Sequence, residues 1–218
     1  MNNILNIIAY IAISTLLLVF ILYATKFKNN TLPYKIFTIY AGLIAVCEWT
    51  CAYYLDVLQA NNTFITHADT LLQFGLFSAI FYLLFKSKRQ KIFALMSGSV
   101  IFSYFVLFYI INPKELMNEN NLQKFVTSFI LVLYCTMHLY NMLNDKRKQF
   151  YYITVGLLIY IVGSIIINLS STIIVSLNNL ELYSKIWVVN VLFYLVYQIF
   201  CIAEWKINYY KPTTIDEQ

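Results

Sequence analysis

Seven long apolar stretches follow one another along the chain, at about residues 4 to 25, 35 to 57, 64 to 85, 92 to 112, 123 to 143, 150 to 174 and 185 to 205, and the charged residues fall between them. An α-helix needs about 20 apolar residues to cross the hydrocarbon core of a bilayer. In lipid, backbone groups must be satisfied internally, which such a helix does on its own. The expected fold is therefore all-α: a polytopic seven-transmembrane-helix bundle over residues 1–210, with 211–218 as a short cytoplasmic tail. Seven spans and their connections use up the 218 residues, leaving no room in them for a soluble catalytic or DNA-binding domain. Composition agrees, with 11% charged residues where a soluble domain has about 25%.

Orientation follows from the basic residues, because Lys and Arg in short loops stay on the cytoplasmic side. Lys26, Lys28 and Lys35, then Lys86, Lys88, Arg89 and Lys91, then Lys146, Arg147 and Lys148, and finally Lys206 and Lys211 occupy alternate connections and the tail. The intervening connections hold only Lys114, Lys124 and Lys185. Removing one span would scramble that alternation. The expectation is an N-terminus outside, a C-terminus in the cytoplasm, and a multi-pass location in a bacterial cell inner membrane. The net charge of +5 is then a topology signal, and a nucleic-acid partner finds no support because the basic residues are scattered over four short segments.

The first residues, Met1-Asn2-Asn3, lack the positive n-region of a cleavable signal peptide. Pro33, Pro113 and Pro212 fall in connections or the tail, so the spans should be continuous, unlike the broken helices that point to ion sites in many transporters. Cys47, Cys51, Cys135 and Cys201 lie within spans at no metal or redox spacing and read as packing residues. No phosphate loop or hydrolase motif occurs, no cofactor is implied, and the oligomeric state is not legible.

What stands out is a handful of polar side chains placed where lipid makes them costly, at least about 2.5 kcal/mol for a charge near the bilayer centre. Glu48, between Cys47 and Trp49, lies too deep in the second span to reach the surface. Asp69 and Gln73 share a face of the third span, one turn apart. With His67, and with Asn168 and Asn190 counted from their helix ends, they fall in the outer half. The expectation is an outward-facing polar cavity lined by Glu48, His67, Asp69, Gln73, Asn168 and Asn190. Interhelical hydrogen bonding is the alternative role for these groups, and Asp69 could also cap the start of its helix. His138 is expected at the opposite side from His67, which leaves no joint zinc site. Glu204, beside Trp205 and Lys206, reads as part of an interfacial belt with a local ion pair. Gly156, Tyr160, Gly163 and Ser164, continued by Asn168 and Ser171, form a small and polar stripe suited to close helix packing. No lysine occupies the middle of the last span, which sets aside a retinal Schiff base.

His67-x-x-Thr70-x-x-Gln73-Phe74, Gly156-x-x-x-Tyr160-x-x-Gly163-Ser164 and Asn190-x-x-x-Tyr194, followed by Trp205-Lys206, together resemble a group of uncharacterised small seven-helix membrane proteins of Bacteroidetes-type bacteria. The resemblance runs loosely over the second to seventh spans. It implies a glutamate in the second span, matched by Glu48, and a carboxylate where this chain has Gln73; Asn is usual where this chain has Ser164. The resemblance brings no assigned activity.

Three functions fit these features. A sensory or regulatory module would read a ligand in the outer cavity and act through a cytoplasmic or membrane signalling partner at its loops. A transporter or channel would use the cavity as one end of a path. An intramembrane lipid-modifying enzyme would use Glu48, Asp69 and His67, though no nucleophile and base pair is evident. A scaffold or assembly role is the remaining alternative, and no catalytic residue is assigned.

Overall fold

The structure, a computed structural model, describes residues 2–143, 149–177 and 180–210. Its helices are α1 (Asn2–Ala24), α2 (Leu32–Asp56), α3 (Thr63–Leu84), α4 (Lys88–Ile111), α5 (Asn121–Met142), α6 (Tyr151–Ser176) and α7 (Leu180–Trp205). A short 3₁₀ turn, Pro113–Met117, joins α4 to α5, and a π-helical turn, Lys206–Tyr210, continues α7. All seven helices are long and apolar enough to cross a membrane, which makes this an all-α, multi-pass membrane protein. The tail at 211–218 and the basic residues Lys146, Arg147, Lys148 and Lys211 lie outside the described residues.

Local chemistry explains where the helices depart from the apolar pattern. α2 begins earlier than that pattern, at Leu32, because Pro33 sits in its first turn, where its missing N–H costs nothing. α4 takes in Lys88, Arg89 and Lys91, since a polar first turn reaching beyond the apolar region continues the same backbone ladder. α5 starts where the Asn120 side chain accepts the Gln123 amide at 2.9 Å, an N-cap.

α1 packs on α2 and α7, α2 on α3, α3 on α5, α5 on α6 and α6 on α7, closing a ring; α4 leans on α3 from outside. We call the end of the bundle that carries the first turn of α1 the N-terminal end, and the end that carries the last turn of α7 the C-terminal end. The outer surface is apolar: Ile110, Ile166 and Ile173 are 69%, 60% and 63% exposed, as suits lipid contact and not water.

Inside the ring the C-terminal half is filled by large side chains. Tyr23, Tyr34, Phe37, Phe77, Phe81, Phe85, Tyr134 and Phe150 are all at most 1% exposed and belong to one cluster. Their rings meet in tilted and edge-to-face pairs, such as Tyr23 and Phe37 at 4.7 Å, Tyr40 and Phe77 at 4.7 Å and Phe37 and Phe150 at 5.9 Å, arrangements favoured by the aromatic quadrupole. Gly156 and Gly163 bring α6 close to α7. A Cβ at these positions would lie 2.6 Å from Phe200 Cβ and 2.7 Å from Phe193 Cδ2.

Candidate functional site

The buried stripe of α2 runs through Tyr34, Phe37, Tyr40, Ala41, Ile44 and Ala45. Glu48 is the next residue on that stripe, three and four positions further on, so helical periodicity turns it inward. It is half-buried and makes no hydrogen bond among the described residues. On α3, Asp69 and Gln73 face the same interior. Asp69 interacts electrostatically with Glu48, and Gln73 Nε2 donates to the Tyr40 hydroxyl at 3.2 Å.

From the other side of the ring, α6 and α7 contribute Tyr160, Tyr194 and Tyr197. Tyr160 lies 5.2 Å from Tyr194 and stacks on Tyr197 at 5.9 Å between ring centroids. Tyr160 and Tyr194 both lie in the electrostatic field of Glu48 and Asp69. Ser164 Oγ donates to Asn190 Oδ1 at 2.6 Å, joining α6 to α7 beside this group. Glu48, Asp69, Gln73 and Asn190 sit roughly 9–15 Å along their helices from the N-terminal end, at 1.5 Å per residue.

The site is incompletely satisfied. Asp69 Oδ1 and the hydroxyls of Tyr194 and Tyr197 are shut off from solvent and have no hydrogen-bond partner. Each such group costs about 1–3 kcal/mol when left unpaired, and native interiors pair nearly all of theirs. Nearer the C-terminal end, Gln198 is 0% exposed with both side-chain amide atoms unpaired.

Two of the expected cavity residues lie elsewhere. His67 is two positions from Asp69, and at about 100° per residue the two side chains point to nearly opposite faces of α3. It turns toward α4 and α5, where Nδ1 lies 2.7 Å from Gln123 Oε1 and Nε2 lies 2.9 Å from the Asn118 carbonyl. Tyr109 closes this network with its hydroxyl 3.1 Å from His67 Nδ1, and Gln123 Nε2 returns a bond to the His67 carbonyl at 3.3 Å. With both ring nitrogens engaged, His67 ties α3, α4, the 3₁₀ connection and α5 together. Asn168 faces α5, in a crevice of about 30 Å³ with Asn121, Lys124 and Phe125. Asp69 does not cap its helix, because α3 begins at Thr63, a full turn and more before it.

Glu204 also differs from its expected role. It is 0% exposed and is not ion-paired with Lys206 among the described residues. Its carboxylate accepts the backbone N–H of Phe150 at 2.8 Å, that of Tyr152 at 2.9 Å and Asn208 Nδ2 at 2.7 Å. It caps the start of α6 from α7. Phe150 there has φ of 63°, a left-handed conformation rare for a bulky residue.

Tyr40, Tyr194 and Tyr197 were not expected as site residues. The signal was present on α7, where Asn190, Tyr194, Tyr197 and Cys201 recur at spacings of four, three and four, but aromatic residues also populate lipid interfaces and hide such a stripe. A shallow groove of about 630 Å³ between α1 and α2, lined by Leu17, Phe20, Leu43, Val46, Trp49 and Tyr53, is apolar and separate from the polar interior. His138 sits near the C-terminal end, its Nε2 3.3 Å from the Gln149 carbonyl. Cys135 and Cys201 are buried free thiols, while Cys47 and Cys51 are half-buried and lie close to Glu48 and Asp69.

No known protein family matches the chain, and no curated protein or solved structure is significantly similar to it.

Proposed function

We propose that this protein is a sensory or regulatory module of a bacterial inner membrane, with its N-terminus outside and its C-terminus in the cytoplasm. A small ligand enters from the outer side to the group formed by Glu48, Asp69, Gln73, Tyr40, Tyr160, Tyr194 and Tyr197, and the cytoplasmic connections pass the effect to a partner. The alternation of Lys and Arg along the sequence supports the orientation. The resemblance to the seven-helix proteins of Bacteroidetes-type bacteria is compatible with it and carries no further weight.

The observation that carries this reading is the floor of the site. Toward the C-terminal end, Phe37, Tyr40, Phe74 and Phe77 are at most 1% exposed, and Glu204, the buried carboxylate in that half, is engaged in capping α6. A buried polar group that ends on a packed aromatic layer suits binding better than conduction. Glu48→Gln should abolish the activity while the protein stays inserted.

Cysteine accessibility tests the dead end directly. A charged, membrane-impermeant thiol reagent should modify Cys47 or Cys51 in right-side-out vesicles and not in inside-out vesicles, with a Cys47→Ser, Cys51→Ser double variant as the control. Modification from the cytoplasmic side would favour the transporter alternative. For the regulatory half of the reading, a photo-crosslinking residue placed at Phe27 should yield a discrete protein adduct whose amount changes in Asp69→Asn. An adduct indifferent to Asp69, or none, would remove the regulatory role.

A further inference from the structure

We propose that the groove between α1 and α2 holds one hydrocarbon chain of a membrane phospholipid whose ammonium-bearing head rests beside Asp56. This site lies on the outer surface of the ring and does not depend on the polar interior.

The groove is built into the pairing of the two helices. Ile39, Leu43, Val46, Trp49 and Tyr53 recur at spacings of three and four along the outward side of α2, and Leu17 and Phe20 of α1 stand opposite. Between these walls lie the small side chains of Gly42 and Ala45. A Cβ at Gly42 would be 2.9 Å from Phe20 Cε2, so glycine is what lets the Phe20 ring rest against α2 and keeps the floor low. Val46 is 65% exposed. The groove therefore opens to whatever surrounds the bundle, which for a membrane-spanning helix is hydrocarbon.

Its dimensions select the occupant. From Ile39 to Tyr53 it runs about 21 Å, at 1.5 Å per residue. A volume of about 630 Å³ spread over that length gives a cross-section of about 30 Å². A helix about 10–12 Å across needs at least about 80 Å², so a helix of a second copy does not enter, whereas a hydrocarbon chain one methylene wide does. Lipid tails are as apolar as leucine, so the chain is held by contact along both walls and not by exclusion from water.

The two ends of the groove differ. Ile39 lies seven positions into α2, which stops the groove on apolar surface about 10 Å short of the C-terminal end. At the N-terminal end stand Trp49 and Tyr53, residue types that favour the headgroup level, and the Trp49 ring lies 6.3 Å from that of Tyr10. The Tyr10 hydroxyl donates to Asp56, which follows Tyr53 by three positions and so shares its side of α2. Asp56 is exposed and has no ion pair among the described residues. A chain lying in the groove brings its head to this carboxylate. The ammonium of phosphatidylethanolamine supplies the cation that Asp56 lacks, and the net negative head of phosphatidylglycerol is repelled.

Native mass spectrometry of the full chain, released from micelles that hold equal amounts of palmitoyl-oleoyl phosphatidylethanolamine and phosphatidylglycerol, tests this. The expected species is a monomer with a single retained lipid, phosphatidylethanolamine exceeding phosphatidylglycerol at least about threefold. Val46→Trp fills the groove from an exposed position outside the core and should abolish retention, while Ile110→Trp, at a position on α4 that is 69% exposed, should leave it unchanged. Asp56→Asn should keep the lipid and make the two heads equal. Should Val46→Trp fail to insert, Asp56→Asn carries the test through the head ratio alone, because the Asn carbonyl oxygen can still accept from Tyr10. The proposal is overturned by a parent that retains no lipid or does not favour phosphatidylethanolamine, by retention unchanged in Val46→Trp, or by a head ratio unchanged in Asp56→Asn. A dimer that Val46→Trp dissociates would give the groove to a second copy and overturn it as well.

Discussion

Glu204→Gln replaces one carboxylate oxygen with an NH₂ group at a position with 0% exposure, where the two oxygens accept the N–H groups of Phe150 and Tyr152 at 2.8 and 2.9 Å. One buried backbone N–H then faces another donor. Hydrogen bonds to charged groups are worth about 1.5–3 kcal/mol, and a stranded buried donor costs about 1–3 kcal/mol. Part of the loss is returned, because Phe150, held at φ of 63°, can relax from a conformation that costs about 1–2 kcal/mol. The expected destabilisation is about 2 kcal/mol. Glu204→Ala strands both N–H groups and should cost about 3–5 kcal/mol, in the range found when one partner of a buried pair is removed. Asn208 adds little, since it is exposed and can bond to water. The control is Glu119→Gln, whose ion pair with Lys124 spans 3.9 Å with the Glu119 side chain 62% exposed, so its loss should cost about 1 kcal/mol or less. Reversible unfolding of the detergent-solubilised protein by SDS, followed by tryptophan fluorescence, measures all three. Hydrogen exchange at Phe150 and Tyr152 locates the effect. A Gln variant within about 0.5 kcal/mol of the parent, a value typical of neutral surface changes, would refute the capping argument, as would unchanged exchange at these two amides.

Packing of α6 on α7 makes a second prediction: Gly156→Ala should destabilise by about 1–3 kcal/mol as overpacking does, because its Cβ would meet Phe200 Cβ at 2.6 Å and the Tyr197 backbone at 3.3 Å. Gly75→Ala, whose Cβ would lie 3.3 Å from the Phe102 ring, should change stability by less than about 1 kcal/mol, since alanine is the better helix former; the same unfolding measurement ranks the two. His67→Ala should cost about 1–3 kcal/mol, because it removes the imidazole from Gln123 Oε1 and from the Asn118 carbonyl while Gln123, at 0% exposure, keeps the Tyr109 hydroxyl and the residue 67 carbonyl. A double-mutant cycle with Gln123→Ala should show coupling of at least about 1 kcal/mol, and additivity would dissolve the network.

Asp69 and His67 show why the site was only half legible in the sequence. Both are polar, both lie near the same end of α3, and depth can be counted from a helix end. Direction around the axis cannot, because it depends on which neighbours α3 meets. Packing against α2 on one side and against α4 and α5 on the other sends Asp69 into the ring and His67 into a closed network. α6 repeats the lesson: Asn168 lines a crevice against α5, while Ser164, one turn earlier, bonds to Asn190 of α7. Glu204 could not be placed at all, since its partners are backbone amides some fifty residues earlier in the chain.

The sequence by itself determined the number of helices and the apolar character of their outer faces. The physical reason is local: in lipid each span must close its own backbone hydrogen bonds, so a run of apolar residues reads as a helix without knowledge of its neighbours. Only the tertiary structure decided that Glu48, Asp69 and the tyrosines of α6 and α7 share one interior, and that an aromatic layer closes it from the other end. Those meetings come from the rotation of each helix and the closing of the ring, which are set by side-chain packing between segments distant in sequence.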